Sequence, residues 1–168
     1  CIADGEIMRS TEQIHGLVCE AAEGLGLVQL AEEIDRVAWL LQFDEETAID
    51  VEYSLDEDRL VLSSAVWEVS GDQRELIYEL LLQFNYLWTE TGGVRMALNG
   101  MPGQVTMLFD MPDPATGVTQ LRQVLGNIAK LQKSWRQILT GLADSPVETT
   151  DADEAALRGA LEQLVQKP

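Results

Sequence analysis

Leu80-Leu81-Leu82-Gln83-Phe84-Asn85-Tyr86-Leu87-Trp88, running on into Thr89-Glu90-Thr91-Gly92-Gly93, decides how this chain folds. The stretch reads as a helix that is apolar on nearly every side, in a chain whose formal charge is −18. A surface helix needs only one apolar stripe, so a helix that is apolar all round must be covered twice. The body of a 168-residue chain can cover one side. A second copy of the protein is expected on the other. Asp72, with Glu75 three residues later, caps the start of this helix, and Gly92-Gly93 stops it after about Trp88.

Downstream, Arg95 to Leu98 and Gln104 to Met111 read as a hairpin around Asn99-Gly100-Met101-Pro102-Gly103, with Val105, Met107 and Phe109 on one face. Pro112 and Pro114 break the chain before a long helix from about Gly117 to Leu142. Leu121, Val124, Ile128, Leu131, Trp135, Ile138 and Leu142 recur there at alternating intervals of three and four. That spacing suits a coiled coil, but a single helix lying across a sheet gives the same stripe and is the preferred reading.

Upstream, Ser10-Thr11-Glu12-Gln13 has the pattern of a capping box, and Ile14, Leu17, Val18, Ala21 and Leu25 follow at helical spacing. Gly24 and Gly26 mark the exit, and Val28 to Arg36 fits either helix or loop. Val37 to Phe43 is a short apolar run read as a strand. Ile49, Val51, Tyr53 and Leu55 alternate with polar residues, so one face of that strand is buried. Asp56-Glu57-Asp58 turns the chain, and Leu60 to Val69 returns with apolar residues on both faces, among them Val61, Leu62, Val66, Trp67 and Val69. Such a strand is central, or binds something on its outer face. The predicted order is helix, three-stranded meander, helix, two-strand hairpin, long helix: an α+β fold with an antiparallel sheet packed by helices. Residues 10–142 form the expected domain. Residues 143–168 read as a loosely attached acidic tail, able to form a short helix through Leu157, Leu161 and Leu164.

The charge argues against nucleic acid and anionic membrane as partners, since neither offers cations to a surface this acidic. A hydrophobic fraction of 46% is too high for a disordered acidic chain. No apolar run is long enough to span a bilayer, and two cysteines, Cys1 and Cys19, make no disulfide framework. These features point to the cytosol. A first residue of Cys rather than Met suggests processing, and Met8 offers a natural start. With one histidine, His15, a His-dependent triad or a Cys/His zinc site has few members to draw on. No glycine-rich phosphate loop is present. Asp44-Glu45-Glu46 and Asp56-Glu57-Asp58 are dense in carboxylate but lack EF-hand spacing, and read as solvated turns that can steer a basic partner. Nothing here points to an enzyme, a cofactor or a metal. Trp39, Trp67, Trp88 and Trp135 each lie in an apolar run and read first as core, Trp67 least securely.

The succession Leu81-Leu82-Gln83-Phe84-Asn85, then Thr91-Gly92-Gly93-Val94-Arg95-Met96-Ala97-Leu98, then Gly103-Gln104-Val105-Thr106-Met107-Leu108, resembles the class I type III secretion chaperones, the Tir-chaperone family. That family commonly has a helix ending in Leu-Leu-x-x-Asn, a glycine-containing turn and two strands. The resemblance covers about Ser10 to Leu142. It implies a small acidic homodimer in the cytosol of a Gram-negative bacterium, which binds the N-terminal region of a secreted effector and keeps it export-competent. It places the dimer interface on the second helix, at Ile77, Leu80, Leu81, Phe84 and Trp88. By the same analogy the effector patch lies on the first helix and the sheet, at Leu17, Val37, Trp39, Leu41, Val66 and Trp67. The alternative is an acidic regulatory or scaffolding dimer of the same fold with no exported client.

Overall fold

A computed structural model describes residues 10–71, 74–100, 103–111, 117–144 and 150–165. Helix α1 spans Thr11–Ala22, and strands β1 to β4 span Gln29–Glu33, Ala38–Gln42, Ala48–Ser54 and Arg59–Glu68. Helix α2 (Arg74–Tyr86), strands β5 (Arg95–Asn99) and β6 (Gln104–Met111), and helices α3 (Val118–Asp144) and α4 (Thr150–Val165) follow. The strands form one six-stranded sheet in the order β1-β2-β3-β4-β6-β5. The fold is α+β, as the sequence predicts. Expected caps and breaks at Asp72, Pro112 and Pro114 lie outside the described residues, as do Met101 and Pro102 of the expected hairpin turn. The chain falls into two compact units, one running to Leu62 and including Asp110–Gly126, the other comprising Ser63–Phe109 and the chain from Asn127.

In the first unit, α1 starts as the sequence dictates. Ser10 Oγ accepts from the Gln13 amide at 3.3 Å, and Gln13 Oε1 accepts from the Ser10 amide at 3.0 Å, satisfying two of the helix's orphan donors. Ile14, Val18 and Ala21 of α1 are fully buried, whereas Leu17 is only half-buried. The ambiguous segment is a strand: β1 pairs antiparallel with β2, Gln29 opposite Gln42 and Glu33 opposite Ala38, and the meander has four strands rather than three. Gln29-Leu30-Ala31-Glu32-Glu33 has little strand propensity, so its form comes from its neighbour's ladder. β3 then pairs with β2, Trp39 opposite Val51. Ile49, Val51 and Tyr53 are buried as predicted, but Leu55 is not: the strand ends at Ser54, and Leu55 sits exposed in the turn. Both acidic clusters build turns. Asp44 Oδ1 accepts from the Glu46 and Thr47 amides at 3.0 and 2.8 Å, and Asp58, at φ 44°, accepts from the Tyr53 hydroxyl at 2.5 Å. Arg122 of α3 donates to the carbonyls of Ala21 and Glu20 at 3.2 and 2.6 Å, closing the end of α1.

In the second unit, α2 buries Ile77, Leu80, Leu81 and Phe84. Phe84 meets Trp135 of α3 edge to face, with centroids 5.0 Å apart. The helix ends at Tyr86, two residues short of the expected stop, and turns lead through Gly92 and Gly93, both at positive φ. Asn85 carries the return into β5: its Nδ2 donates to the Met96 carbonyl at 2.9 Å and its Oδ1 accepts from the Met96 amide at 2.8 Å. Along α3 the buried residues include Leu121 and Leu125 in the first unit and Ile128, Gln132, Trp135, Leu139 and Leu142 in the second. Val124, Leu131 and Ile138 of the predicted stripe are half-buried. The acidic segment contains a sixteen-residue helix, α4, over the stretch read as able to form one; it packs on α2, and Ala160 and Leu164 are buried.

Candidate protein-binding site

Protein partners are met through surface, so the informative side chains are apolar ones left in water. In the second unit these are Leu82 and Tyr86 on α2, Trp88 just beyond it and Leu98 on β5. Leu82, Tyr86 and Trp88 are 70%, 84% and 68% exposed. At 100° per residue, Leu82 and Tyr86 share a face with Glu75 and Glu79, opposite the stripe that faces the core. The helix is thus apolar on both sides, and one side is uncovered.

Of the five residues expected at an interface, Ile77, Leu80, Leu81 and Phe84 are buried within the unit's own core, and Trp88 alone is exposed. Leu82 and Tyr86 were not singled out by sequence. Composition reveals that a helix is apolar all round, but not which phase its own domain covers.

The six residues expected at an effector patch divide in the same way. Trp39 and Leu41 of β2 and Val66 of β4 are buried core. Leu17 and Val37 in the first unit, and Trp67 in the second, keep exposed area. Val37 stands in the left-handed region at φ 50°, ψ 55°, a conformation costly for a β-branched residue. The first unit adds Val28, 68% exposed, and Leu30, 40% exposed, at the outer strand of the sheet. Sequence reasoning missed this pair because the segment was not recognised as a strand.

Acidic groups surround these residues. Burial pushes the Asp50 carboxyl above the usual carboxylate range; the Arg36 guanidinium opposes this, while Glu33 and Glu52 add to it. Arg36, just after β1, reaches Glu52 of β3 at 2.7 Å and Glu33, three residues before it, at 3.7 Å. Beside α1, His15 Nδ1 lies 2.9 Å from Glu32 Oε1. Burial, with Glu32 and Glu23 in turn, raises the Cys19 thiol. Among the described residues no group of three or more His, Cys, Asp and Glu is arranged to hold a metal ion, and no helix is long and apolar enough to cross a membrane.

Comparison with known proteins adds sequence and fold. A family model described as the Tir chaperone protein (CesT) family matches residues 17–136. No curated protein matches the sequence. Among solved structures, the crystal structure of the ExsC-ExsE complex superposes with a TM-score of 0.64 at 21% identity, covering 77% of this chain and 96% of that one. The structure of the HopA1-SchA chaperone-effector complex gives 0.58 at 17% identity, covering 76% and 95%. Both share the fold.

Proposed function

The chain belongs to the Tir chaperone protein (CesT) family, a family of type III secretion chaperones, and from that premise we propose that it works as a cytosolic homodimer that holds the N-terminal region of a secreted effector soluble and export-competent. The observation that carries the self-association is the uncovered apolar face of α2. Leu82 and Tyr86, with Trp88 beside them, stand in water on a strongly acidic chain, and a second copy presenting the same face buries both sets at once. The buried Ile77, Leu80, Leu81 and Phe84 support that face from beneath, while Trp88 contributes to it directly.

The client is held by surface rather than by chemistry. A solved structure of similar fold is described as a chaperone-effector complex, and that description supports a protein client for this chain. Within the first unit, Leu17 and Val37 supply apolar area, with Trp39 and Leu41 buried in that unit's core; within the second, Trp67 supplies it, with Val66 buried. An extended client segment exchanges water for apolar contacts and strand pairing without forming the globular fold that export requires it to lack. The role is stoichiometric and non-enzymatic.

Affinity capture of the tagged protein from lysate of its source organism, with mass-spectrometric identification, tests the reading. The expected result is one dominant secreted protein, lost when that protein's N-terminal region is deleted. Recovery of the chain alone, with secretion genes expressed, contradicts it.

A further inference from the structure

Helix α1 and the outer strand β1 bring three groups together, His15 and Cys19 from the helix and Glu32 from the strand. His15 and Cys19 stand four residues apart and so share one helix face. His15 Nε2 lies 3.5 Å from Cys19 Sγ, and the other ring nitrogen, Nδ1, lies 2.9 Å from Glu32 Oε1. In the neutral tautomer that donates Nδ1–H to the Glu32 carboxylate, Nε2 carries no proton and its lone pair is on the side of the sulfur. We propose that His15 Nε2 and Cys19 Sγ form a two-ligand chelate for a zinc-class divalent transition ion, with Glu32 as the outer partner that fixes the imidazole.

The distances fit this use. With metal–nitrogen and metal–sulfur bonds of about 2.1 and about 2.3 Å, a tetrahedral angle separates the two donor atoms by about 3.6 Å. The observed separation is 3.5 Å, close to that span, so a turn of the imidazole about its own bonds brings both donors onto one ion. A carboxylate on the second ring nitrogen is the usual support of a metal-bound histidine, setting both tautomer and ring plane. One imidazole and one thiolate select a zinc-class ion over magnesium or calcium, which take oxygen ligands. Burial first, then Glu32 and Glu23, hold the Cys19 thiol protonated in the metal-free chain, so the ion displaces that proton to solvent as the metal–sulfur bond forms. The side chains of His15 and Glu32 are 47% and 39% exposed, which leaves the remaining coordination positions to water. With two protein ligands, the site is an exchangeable one rather than a structural one.

The proposal does not depend on secretion or on any client, and its test uses the metal alone. The full chain carrying Cys1→Ser is titrated with Co2+ and followed by absorption. One equivalent is expected to bind with a thiolate-to-cobalt charge-transfer band that Zn2+ abolishes by displacement. Cys19→Ser is expected to lose the band, His15→Gln to lose binding at the same cobalt concentration, and Glu32→Ala to weaken binding about 10- to 100-fold. Circular dichroism of each metal-free variant establishes that it is folded. Absence of the band at saturating cobalt, or its survival in a folded Cys19→Ser protein, overturns the chelate. Unchanged affinity in Glu32→Ala overturns the part given to Glu32.

Discussion

Asn85 acts as a short piece of strand. Its amide pairs with both backbone groups of Met96, and no other side chain of that size offers a donor and an acceptor in this geometry. Asn85→Ala leaves two partly buried backbone groups without their partner, so a loss of about 2 kcal/mol in urea denaturation is expected. Asn85→Asp is expected to be no better, because a carboxylate cannot donate to the Met96 carbonyl. Asp50 gives a pH signature of the opposite sign from a paired carboxylate. Its folded-state pKa is raised, chiefly by burial, so the native state binds the extra proton and stability falls as pH rises from the ordinary carboxylate value through the raised one. Thermal melts across the acidic range are expected to show Asp50→Asn gaining most above that window and losing the associated slope. Local chemistry of this kind was partly legible. Ser10 and Gln13 were readable because a capping box needs only four consecutive residues. Gln132 was missed: a glutamine in a helical stripe gives no sign that its Nε2 will reach the Ala65 carbonyl at 2.7 Å.

At the scale of the element, α2 shows where pattern reading stops. The run of leucines and aromatics announces a doubly covered helix, yet the rotation that puts Phe84 on Trp135 and Tyr86 in water is set by the rest of the fold. Substitutions on the two faces are therefore expected to separate cleanly. Phe84→Ala opens a cavity and costs about 3–5 kcal/mol in denaturant titrations. Leu82→Glu combined with Tyr86→Glu is expected to leave the fold intact and convert a dimer to monomers in sedimentation velocity; a dimer that persists would remove this face from the interface. Strand β1 was illegible for another reason. Its residues suit a helix or loop, and only the ladder with β2, from Gln29–Gln42 to Glu33–Ala38, makes it a strand. The acidic segment containing α4 gave a faint amphipathic pattern, but its packing on α2 could not be read from it.

Across the whole molecule, the charge of −18 governs encounter more than affinity. Asp58 is tied to Tyr53 and Glu57 to Arg59, so Asp56 is the residue of that turn best suited to a test. Asp56→Lys is expected to slow association with a basic client segment in stopped-flow measurements and to leave dissociation unchanged, with the difference fading as salt is raised. The α+β order was legible because each long element carries its own periodicity. The covered and uncovered faces were not, because they depend on residues distant in sequence. The closure of α1 by Arg122 has a consequence in time. The two carbonyls it meets lie 101 and 102 residues earlier in the chain, so the final turn of the first helix stays unsealed until most of the polypeptide has been synthesised. Arg122→Ala is expected to speed amide exchange in that turn while leaving the Ser10 end protected, so α1 is completed only after α3 has joined it.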